Sequence, residues 1–199
     1  MNELRWPEEM PTLADALVTL RPWRPSDEAD IVEACQDPEI RRWTTVPDPY
    51  TPEDARFFVA MAPEMWNQRL GMSFAVTGPE DDRALGSLSV VAVDVAAGRG
   101  ELGYWIAPWG RRRGMASAAL ALLSGWLLDH VGLRRLEVVV ETGNDGSLRV
   151  AGLAGFVPVD ADGVGTLREL PGHGASVLVR PTPQRMSHEP PTGATAEFQ

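Results

Sequence analysis

Short runs in which apolar and polar residues alternate recur along this chain of 199 residues. Residues 17–21 are such a run, and 85–95 is a longer one that is rich in β-branched residues. Alternation with a period of two predicts strands that bury one face. The predicted strands are 17–21, 73–77, 85–95, 101–107, 136–141, 156–160 and 176–180, with a further candidate at 166–170.

Helix signals lie between these runs. Ser26 or Asp27 caps a first helix, and Thr51 caps a second that has acidic residues in its first turn. Pro63 is expected to kink or split that second helix. The predicted helices are 26–36, one that begins at 51, 113–130 and 144–154, whereas 38–43 is expected to form a turn.

The order of these elements predicts a mixed α/β (α+β) fold. Antiparallel strands come first, and a strand–helix–strand unit follows them. We expect an N-terminal extension over 1–16 and a single domain over 17–180. Residues 181–199 are expected to be a disordered tail, because their prolines and small polar side chains leave little apolar surface to bury.

Composition narrows the class of protein. The formal net charge of −10 argues against nucleic acid as the main partner. The single cysteine, Cys35, allows no internal disulfide, and three scattered histidines give no metal-ligand spacing. Residues 1–11 do not resemble a signal peptide, and the apolar stretch 115–128 is too short to span a bilayer. We therefore expect a cytoplasmic protein without a metal or a membrane partner.

A basic segment stands out where the long helix is predicted to begin. It consists of Arg111, Arg112, Arg113, Gly114, Met115, Ala116 and Ser117. Amide groups at a helix N-terminus have no intrahelical partner and the helix dipole is positive there, so the site suits an anion, phosphate above all. On an acidic chain, one local basic cluster indicates a single phosphorylated ligand. A solvated basic turn is the alternative.

Two common phosphate-binding motifs are absent from this basic segment. It has no lysine where a Walker loop requires one, and it carries no Gly-x-Gly-x-x-Gly fingerprint. Glycines with that spacing stand at 98, 100 and 103, but they lie in a turn that leads into a strand, whereas the fingerprint follows a strand and opens a helix. The sequence therefore gives little support to nucleotide hydrolysis or dinucleotide redox chemistry. The ligand that still fits the segment is a cofactor with a pyrophosphate, which the main chain and arginine side chains would bind.

Motifs on both sides of the basic segment extend the pattern. They are Arg111-x-x-Gly114-x-Ala116, Asn144-x-x-Ser147 and Gly155-Phe156. Together with the preceding strand 101–107 they resemble the acetyl-CoA-binding core of the GNAT N-acetyltransferase superfamily. The N-terminal half, including Leu20-Arg21-Pro22-Trp23 and Pro49-Tyr50-Thr51, looks like the Rim-type branch, which includes acetyltransferases of ribosomal-protein N-termini.

The resemblance implies a fold and a mode of cofactor binding. The fold is that of the acyl-CoA N-acyltransferases: a twisted, mostly antiparallel mixed sheet flanked by helices and splayed between the strands of Glu101 and Leu136. The loop backbone 111–117 would hold the pyrophosphate. The strand end, Trp105, Ile106 and Ala107, would pair with the pantetheine arm, and the Ile106 N–H would polarise the thioester carbonyl. Asn144 would hydrogen-bond the pantetheine.

The resemblance also implies catalytic roles. Glu101 is the candidate general base, because an amine must lose a proton before it attacks. In many relatives a tyrosine near the position of Ser147 protonates the departing thiolate. The tyrosines here are Tyr50 and Tyr104, so Ser147 is the implied acid. Cys35 is remote in sequence from the loop, and direct transfer in a ternary complex is therefore preferred over an acyl-cysteine intermediate.

The expected activity is transfer of an acetyl group from acetyl-CoA to a primary amine, with a protein N-terminus as the leading acceptor. A small-molecule amine such as an antibiotic, a polyamine or an amino acid is the alternative, and a non-catalytic acyl-CoA-binding module is a third. Trp43 and Tyr50 are candidates for the acceptor pocket, unless they pack within their loops. A homodimer is compatible with the sequence. Simple capping by Asn144 and an exposed strand position for Glu101 are the structural alternatives to their functional roles.

Overall fold

The computed structural model describes residues 4–159, 168–169 and 175–181. Within these ranges nine strands form one sheet. The strands are β1 (Leu13–Ala14), β2 (Thr19–Pro22), β3 (Met72–Thr77), β4 (Gly86–Asp94), β5 (Arg99–Ile106), β6 (Arg135–Glu141), β7 (Val157–Pro158), β8 (Arg168–Glu169) and β9 (Ala175–Pro181). The α-helices are α1 (Glu28–Cys35), α2 (Pro38–Trp43), α3 (Pro52–Asn67), α4 (Met115–Trp126) and α5 (Asp145–Leu153).

The sheet is mixed and mostly antiparallel. Strands β1 to β5 lie in chain order, each antiparallel to the next. Strand β6 then joins β5 in parallel, and β9 pairs antiparallel with β6. The outer edge of β9 carries the two short strands β7 and β8. The predicted fold class, a mostly antiparallel mixed sheet flanked by helices, is confirmed.

The two central strands separate over half their length. Strand β5 pairs with β6 only from Arg99 to Leu102, against Arg135 to Val138. Strand β5 continues to Ile106, while β6 continues beside β9 as far as Glu141. The predicted splay between the Glu101 and Leu136 strands is therefore present, and it opens a gap on the β6 side of the β5 strand end.

Helices cover both faces of the sheet. On one face, α4 buries Leu120 and Leu123 completely in the main core. On the other, α1 and α3 pack in a second core that contains Ile31 and Ala55. Every residue of β3 is buried, as expected for a strand between two layers. Within the described part of the chain, no helix is long and apolar enough to cross a membrane.

The N-terminus of α3 has the predicted cap. The Thr51 hydroxyl accepts a hydrogen bond from the Asp54 amide at 3.3 Å, and the Asp54 carboxylate accepts from the Thr51 amide at 2.8 Å. This reciprocal arrangement is a capping box. The helix then runs through Pro63 as one element of 16 residues, so of the expected kink or split, the split is absent. Packing of Val59, Ala62 and Trp66 holds both halves against the core.

Residues 38–43 form a helix where a turn was expected. Asp37 caps it by accepting hydrogen bonds from the amides of Glu39 and Ile40, both at 3.1 Å, and Pro38 occupies the first helical position. This is the same kind of signal that predicted α3 from Thr51 and Pro52. The missed helix matters because it forms one wall of the cavity at the gap between β5 and β6.

The chain before residue 17 packs against α3 and the segment that follows α4. The Arg5 amide donates to the Val131 carbonyl oxygen at 2.8 Å, and the ring centroids of Trp6 and Trp66 lie 5.0 Å apart. Strand β1 also lies before residue 17. The predicted limits of an extension over 1–16 and a domain over 17–180 stay predictions. Of the expected tail, residues 182–199 lie outside the described residues.

Candidate active site

A cavity of about 770 Å³ opens where β5 and β6 separate. The end of β5 and the loop that follows it form one side. The first turns of α4 and α5 form another, and α2 closes the third. The site therefore combines the segment before the basic loop, the loop itself, and the Asn144–Ser147 segment, which are far apart in sequence.

The hydrogen-bonding pattern of β5 orients its strand end. The Ala107 amide donates to the Leu85 carbonyl oxygen at 2.9 Å, and Trp105 stands opposite Ser87. Because antiparallel ladders alternate, the main-chain groups of Ala107 and Trp105 point towards β4. The main-chain groups of Tyr104 and Ile106 therefore point to the opposite edge of β5, into the gap where β6 no longer pairs with it.

Gly86 lets β4 hold this strand end closely. A Cβ atom at Gly86 would lie 2.4 Å from the carbonyl oxygen of Trp105, a distance at which the two strands would have to move apart. Trp105 and Ile106 line the cavity. Ala107 is fully buried in the second core and does not line it.

The basic loop presents main chain to the cavity. Arg112 and Gly114 have φ values of +60° and +74°, in the left-handed region. The strained backbone at Arg112 is of the kind found at ligand sites. The first α4 hydrogen bond of this loop runs from the Ala118 amide to the Gly114 carbonyl oxygen at 3.1 Å, so the amides of residues 115–117 have no partner within the helix. Together with the helix dipole, these amides favour an anion.

The three arginines of the loop play different parts. The Arg111 side chain is held by two contacts: its Nη2 donates to Asp37 Oδ1 at 2.6 Å, and its Nε donates to the Ile106 carbonyl oxygen at 3.0 Å. Arg112 is exposed and lines the cavity, and Arg113 is exposed outside its lining. Arg111 also belongs to the cavity lining, and the predicted cofactor contacts of the three arginines stay predictions.

The remaining loop residues all line the cavity. Met115 is also 2 % exposed and anchors the start of α4 in the main core, and Ala116 and Ser117 follow it. The Ser117 hydroxyl donates to the Gly114 carbonyl oxygen at 2.9 Å, which ties the first turn of α4 to the residue that begins it.

Asn144 and Ser147 form the opposite wall. The Asn144 Oδ1 atom accepts a hydrogen bond from the Ser147 amide at 3.0 Å, so Asn144 caps α5. Its amide NH₂ is the group that it can offer to a ligand. Both residues line the cavity, and capping is compatible with the predicted ligand contact.

Tyr104 also lines the cavity, which no sequence pattern indicated. Its hydroxyl donates to the Ser147 carbonyl oxygen at 3.1 Å. Burial raises the pKa of the Tyr104 phenol above its usual value, and the hydrogen bond to Ser147 opposes this shift only in part. The phenol is therefore protonated at neutral pH.

The candidate acceptor residues are separated by the fold. Trp43 lines the cavity, and its Nε1 donates to Glu39 Oε2 at 3.1 Å. Tyr50 is 7 % exposed, belongs to the second core and does not line the cavity. Burial raises the pKa of the Tyr50 phenol. Geometry thus supports the packing alternative for Tyr50.

Glu101 lies away from the cavity. It is partly buried on β5, opposite Ala92 on β4 and Glu137 on β6. Four residues of extended chain put it about 13 Å along the strand from Trp105. The cavity-lining carboxylates among the described residues are Glu39 and Asp145. No group of three or more metal-ligating side chains was found in the part of the chain that the structure describes.

The chain is similar to known acetyltransferases. Residues 18–157 match the family model for the acetyltransferase (GNAT) domain. The chain is 27 % identical over 150 residues to the protein described as uncharacterized N-acetyltransferase p20 of Bacillus licheniformis, covering 74 % of this chain and 83 % of that one.

Two solved structures share the fold. One is RimL, a ribosomal L7/L12 alpha-N-protein acetyltransferase in complex with coenzyme A, with a TM-score of 0.73, 16 % identity, and 86 % and 98 % of the two chains covered. The other is the microcin C7 self-immunity acetyltransferase MccE in complex with acetyl-CoA and AMP, with a TM-score of 0.70, 14 % identity, and 84 % and 93 % covered. The match over residues 18–157 spans more than half of the sequence, and the chain is therefore a member of the GNAT family of acetyl-CoA-dependent acetyltransferases.

Proposed function

We propose that this enzyme transfers the acetyl group of acetyl-CoA directly to the free α-amine of a protein or peptide. One observation carries the proposal: the main-chain groups of Tyr104 and Ile106 point into a gap that lies next to the anion-favouring loop. A thioester with a pyrophosphate at a fixed distance matches these two features. Pantetheine would pair with the strand end, while the pyrophosphate would bind the amides at the start of α4.

The residues of the gap suit acyl transfer. As the amine nitrogen bonds to the thioester carbon, negative charge develops on the carbonyl oxygen, and the Ile106 N–H would stabilise it. When the carbon–sulfur bond breaks, the CoA thiolate takes a proton. The Ser147 hydroxyl is the proposed donor, and the protonated Tyr104 phenol is hydrogen-bonded to the same residue.

The amine must first lose a proton. An α-amine has a pKa of about 8 and is mostly charged at neutral pH, so a nearby carboxylate assists the reaction. Glu39 lines the cavity beside Trp43, and geometry favours it over Glu101, directly or through a water molecule. The sequence-based assignment of Glu101 stays a prediction, and a pH–rate profile distinguishes the two carboxylates.

Two classes of amine are candidates for the acceptor of the acetyl group. The Rim-type motifs support a peptide N-terminus, and the structural similarity to RimL agrees with that assignment. The similarity to MccE keeps a small-molecule amine as the second candidate. At these identities both similarities concern the fold, so the acceptor requires a direct test.

The test compares matched acceptors. Peptides with an alanine or serine N-terminus, the same peptides with a blocked N-terminus, polyamines and free amino acids are each incubated with acetyl-CoA, and release of free CoA thiol is followed. We expect release only with the unblocked peptides. Turnover of the small amines alone would overturn the peptide acceptor and leave the second candidate.

A further inference from the structure

Asp37 makes two kinds of contact at once. Its Oδ1 atom caps α2, and both carboxylate oxygens accept from Arg111, at 2.6 Å from Nη2 to Oδ1 and 3.3 Å from Nη1 to Oδ2. The Asp37 side chain is 14 % exposed and the Arg111 side chain 35 %. A two-pronged, partly buried pair has a defined geometry, unlike a typical surface ion pair.

Arg111 extends this contact to the strand end. Its Nε donates to the Ile106 carbonyl oxygen at 3.0 Å, and that carbonyl belongs to the main chain that points into the gap. A single guanidinium group therefore joins the start of α2 to the last residue of β5. Helix α2 carries Glu39 and Trp43 on the acceptor side, whereas Ile106 lies where the thioester is proposed to bind.

We propose that Asp37 and Arg111 are a positioning pair, which fixes the α2 wall against the β5 strand end so that the acceptor amine meets the thioester. The inference rests on the proposed function. A helix of six residues has little stability of its own, so its contacts set its position. Acyl transfer is sensitive to such positions, because a misplacement of about 1 Å can cost about a hundredfold in rate.

Asp37 is charged under the conditions of the reaction. Burial by itself would raise the pKa of its carboxyl group, but the hydrogen bonds from Arg111 and from the amides of Ile40 and Glu39 outweigh burial and lower it. The pair therefore persists at neutral pH, where the acceptor amine reacts.

Asparagine at position 37 separates the two roles of Asp37. Asparagine caps helices as well as aspartate does, so Asp37→Asn keeps α2 capped but removes the charge that holds Arg111. Arg111→Gln removes the other partner. As a matched control, Asp48→Asn breaks the ion pair between Asp48 and Arg41. Arg41 lies on α2, as Glu39 and Trp43 do, but neither Arg41 nor Asp48 belongs to the cavity lining.

The experiment measures kcat, KM for the peptide, the acetyl-CoA dissociation constant and Tm for the three single variants and for the Asp37→Asn, Arg111→Gln double variant. We expect Asp37→Asn to lower kcat/KM for the peptide about ten- to a hundredfold, with the acetyl-CoA dissociation constant changed less than about threefold. The double variant should lose about as much as Asp37→Asn alone, because paired residues act as a unit. Asp48→Asn should match the wild type.

Three results would overturn the inference. Asp37→Asn with wild-type kcat and KM would show that the pair does not position the reactants. Additive losses in the double variant would show that the residues act separately. Normal turnover at saturating acetyl-CoA, with weakened acetyl-CoA binding, would assign the pair to the cofactor alone. A wild-type protein that acetylates no peptide would instead overturn the proposed function, and the pair's role with it.

Discussion

The hydroxyl group of Tyr104 on β5 donates a hydrogen bond to the main-chain oxygen of Ser147 at the start of α5, at 3.1 Å. This contact bridges the two walls of the cavity beside the gap between β5 and β6. It joins the strand end that would hold the thioester to the residue proposed as proton donor. The two residues therefore contribute in separable ways. Ser147 would supply a proton from its side-chain hydroxyl, and Tyr104 would fix the position of Ser147 through the hydrogen bond.

Substitutions at these two positions should have different effects. Ser147→Ala keeps the main-chain oxygen that Tyr104 contacts and removes only the hydroxyl, so we expect kcat to fall about a hundredfold with little change in stability. Tyr104→Phe removes the bridge and should lower the free energy of unfolding by about 1 kcal/mol and kcat about tenfold. Steady-state kinetics and denaturant unfolding measure both. The reverse order of kcat losses would make Tyr104 the proton donor.

Two glycines of the α4 region, Gly114 and Gly125, form a matched pair. Gly114 has a φ of +74°, where an alanine costs about 1 kcal/mol, although a Cβ atom there would meet only a leucine methyl group at 3.6 Å. We expect Gly114→Ala to weaken acetyl-CoA binding about fivefold, because the loop must relax from the conformation that presents its amides. Calorimetry measures the affinity.

Gly125 is the control for this substitution. It lies within α4, and a Cβ atom added there would have nothing within 4 Å, so Gly125→Ala should stabilise the helix by about 0.5–1 kcal/mol and leave affinity unchanged. Equal affinities for the two variants and the wild type would contradict the assignment of the pyrophosphate to this loop.

The general base can be identified from a pH–rate profile. Glu39 lines the cavity and Glu101 lies about 13 Å along β5 from Trp105. We expect Glu39→Gln to lower kcat/KM most below pH 8, where the amine needs help to lose its proton, and to approach the wild type above that pH. Glu101→Gln should follow the wild-type profile. A pH-dependent loss in Glu101→Gln alone would restore the sequence-based assignment.

Substitution of Cys35 tests whether the acetyl group passes directly to the amine or through an acyl-cysteine intermediate. Its side chain is 1 % exposed, and burial raises the pKa of the thiol from 9.0 to about 12. The folded-state pKa is raised, so the stability linked to this group is complete below pH 9 and is lost as the pH rises from about 9 to 12. Cys35→Ala should remove that part of the alkaline loss, measured as Tm against pH, and retain wild-type kcat. An inactive but folded Cys35→Ala would indicate an acyl-cysteine step.

Local patterns were enough to predict much of the fold. Sequence patterns predicted the strands from β2 onwards but not β1, and the cap at Thr51 was found because threonine, proline and acidic residues stand in register. Residues 38–43 were missed although Asp37 and Pro38 give the same signal, since six residues are too few to show helical periodicity. The break expected at Pro63 did not form because tertiary packing outweighed a local preference.

The site was less predictable than the fold. Motif spacing identified the segments that line the cavity, but not where each side chain points. Arg111 belongs to the motif, yet its guanidinium group contacts Asp37, which lies 74 residues earlier in the chain. Tyr50 was chosen by residue type and Glu101 from the family resemblance, and both lie outside the cavity lining, whereas Tyr104 lines it. Such pairings depend on tertiary contacts that no local pattern encodes.

The most direct measurement is an experimental structure of the complex with acetyl-CoA. We predict that the thioester oxygen lies about 3 Å from the Ile106 amide nitrogen, in the gap between β5 and β6, with the pyrophosphate on the amides at the start of α4. Acetyl-CoA bound elsewhere, or a gap closed by continuous pairing of β5 with β6, would contradict this mode of binding.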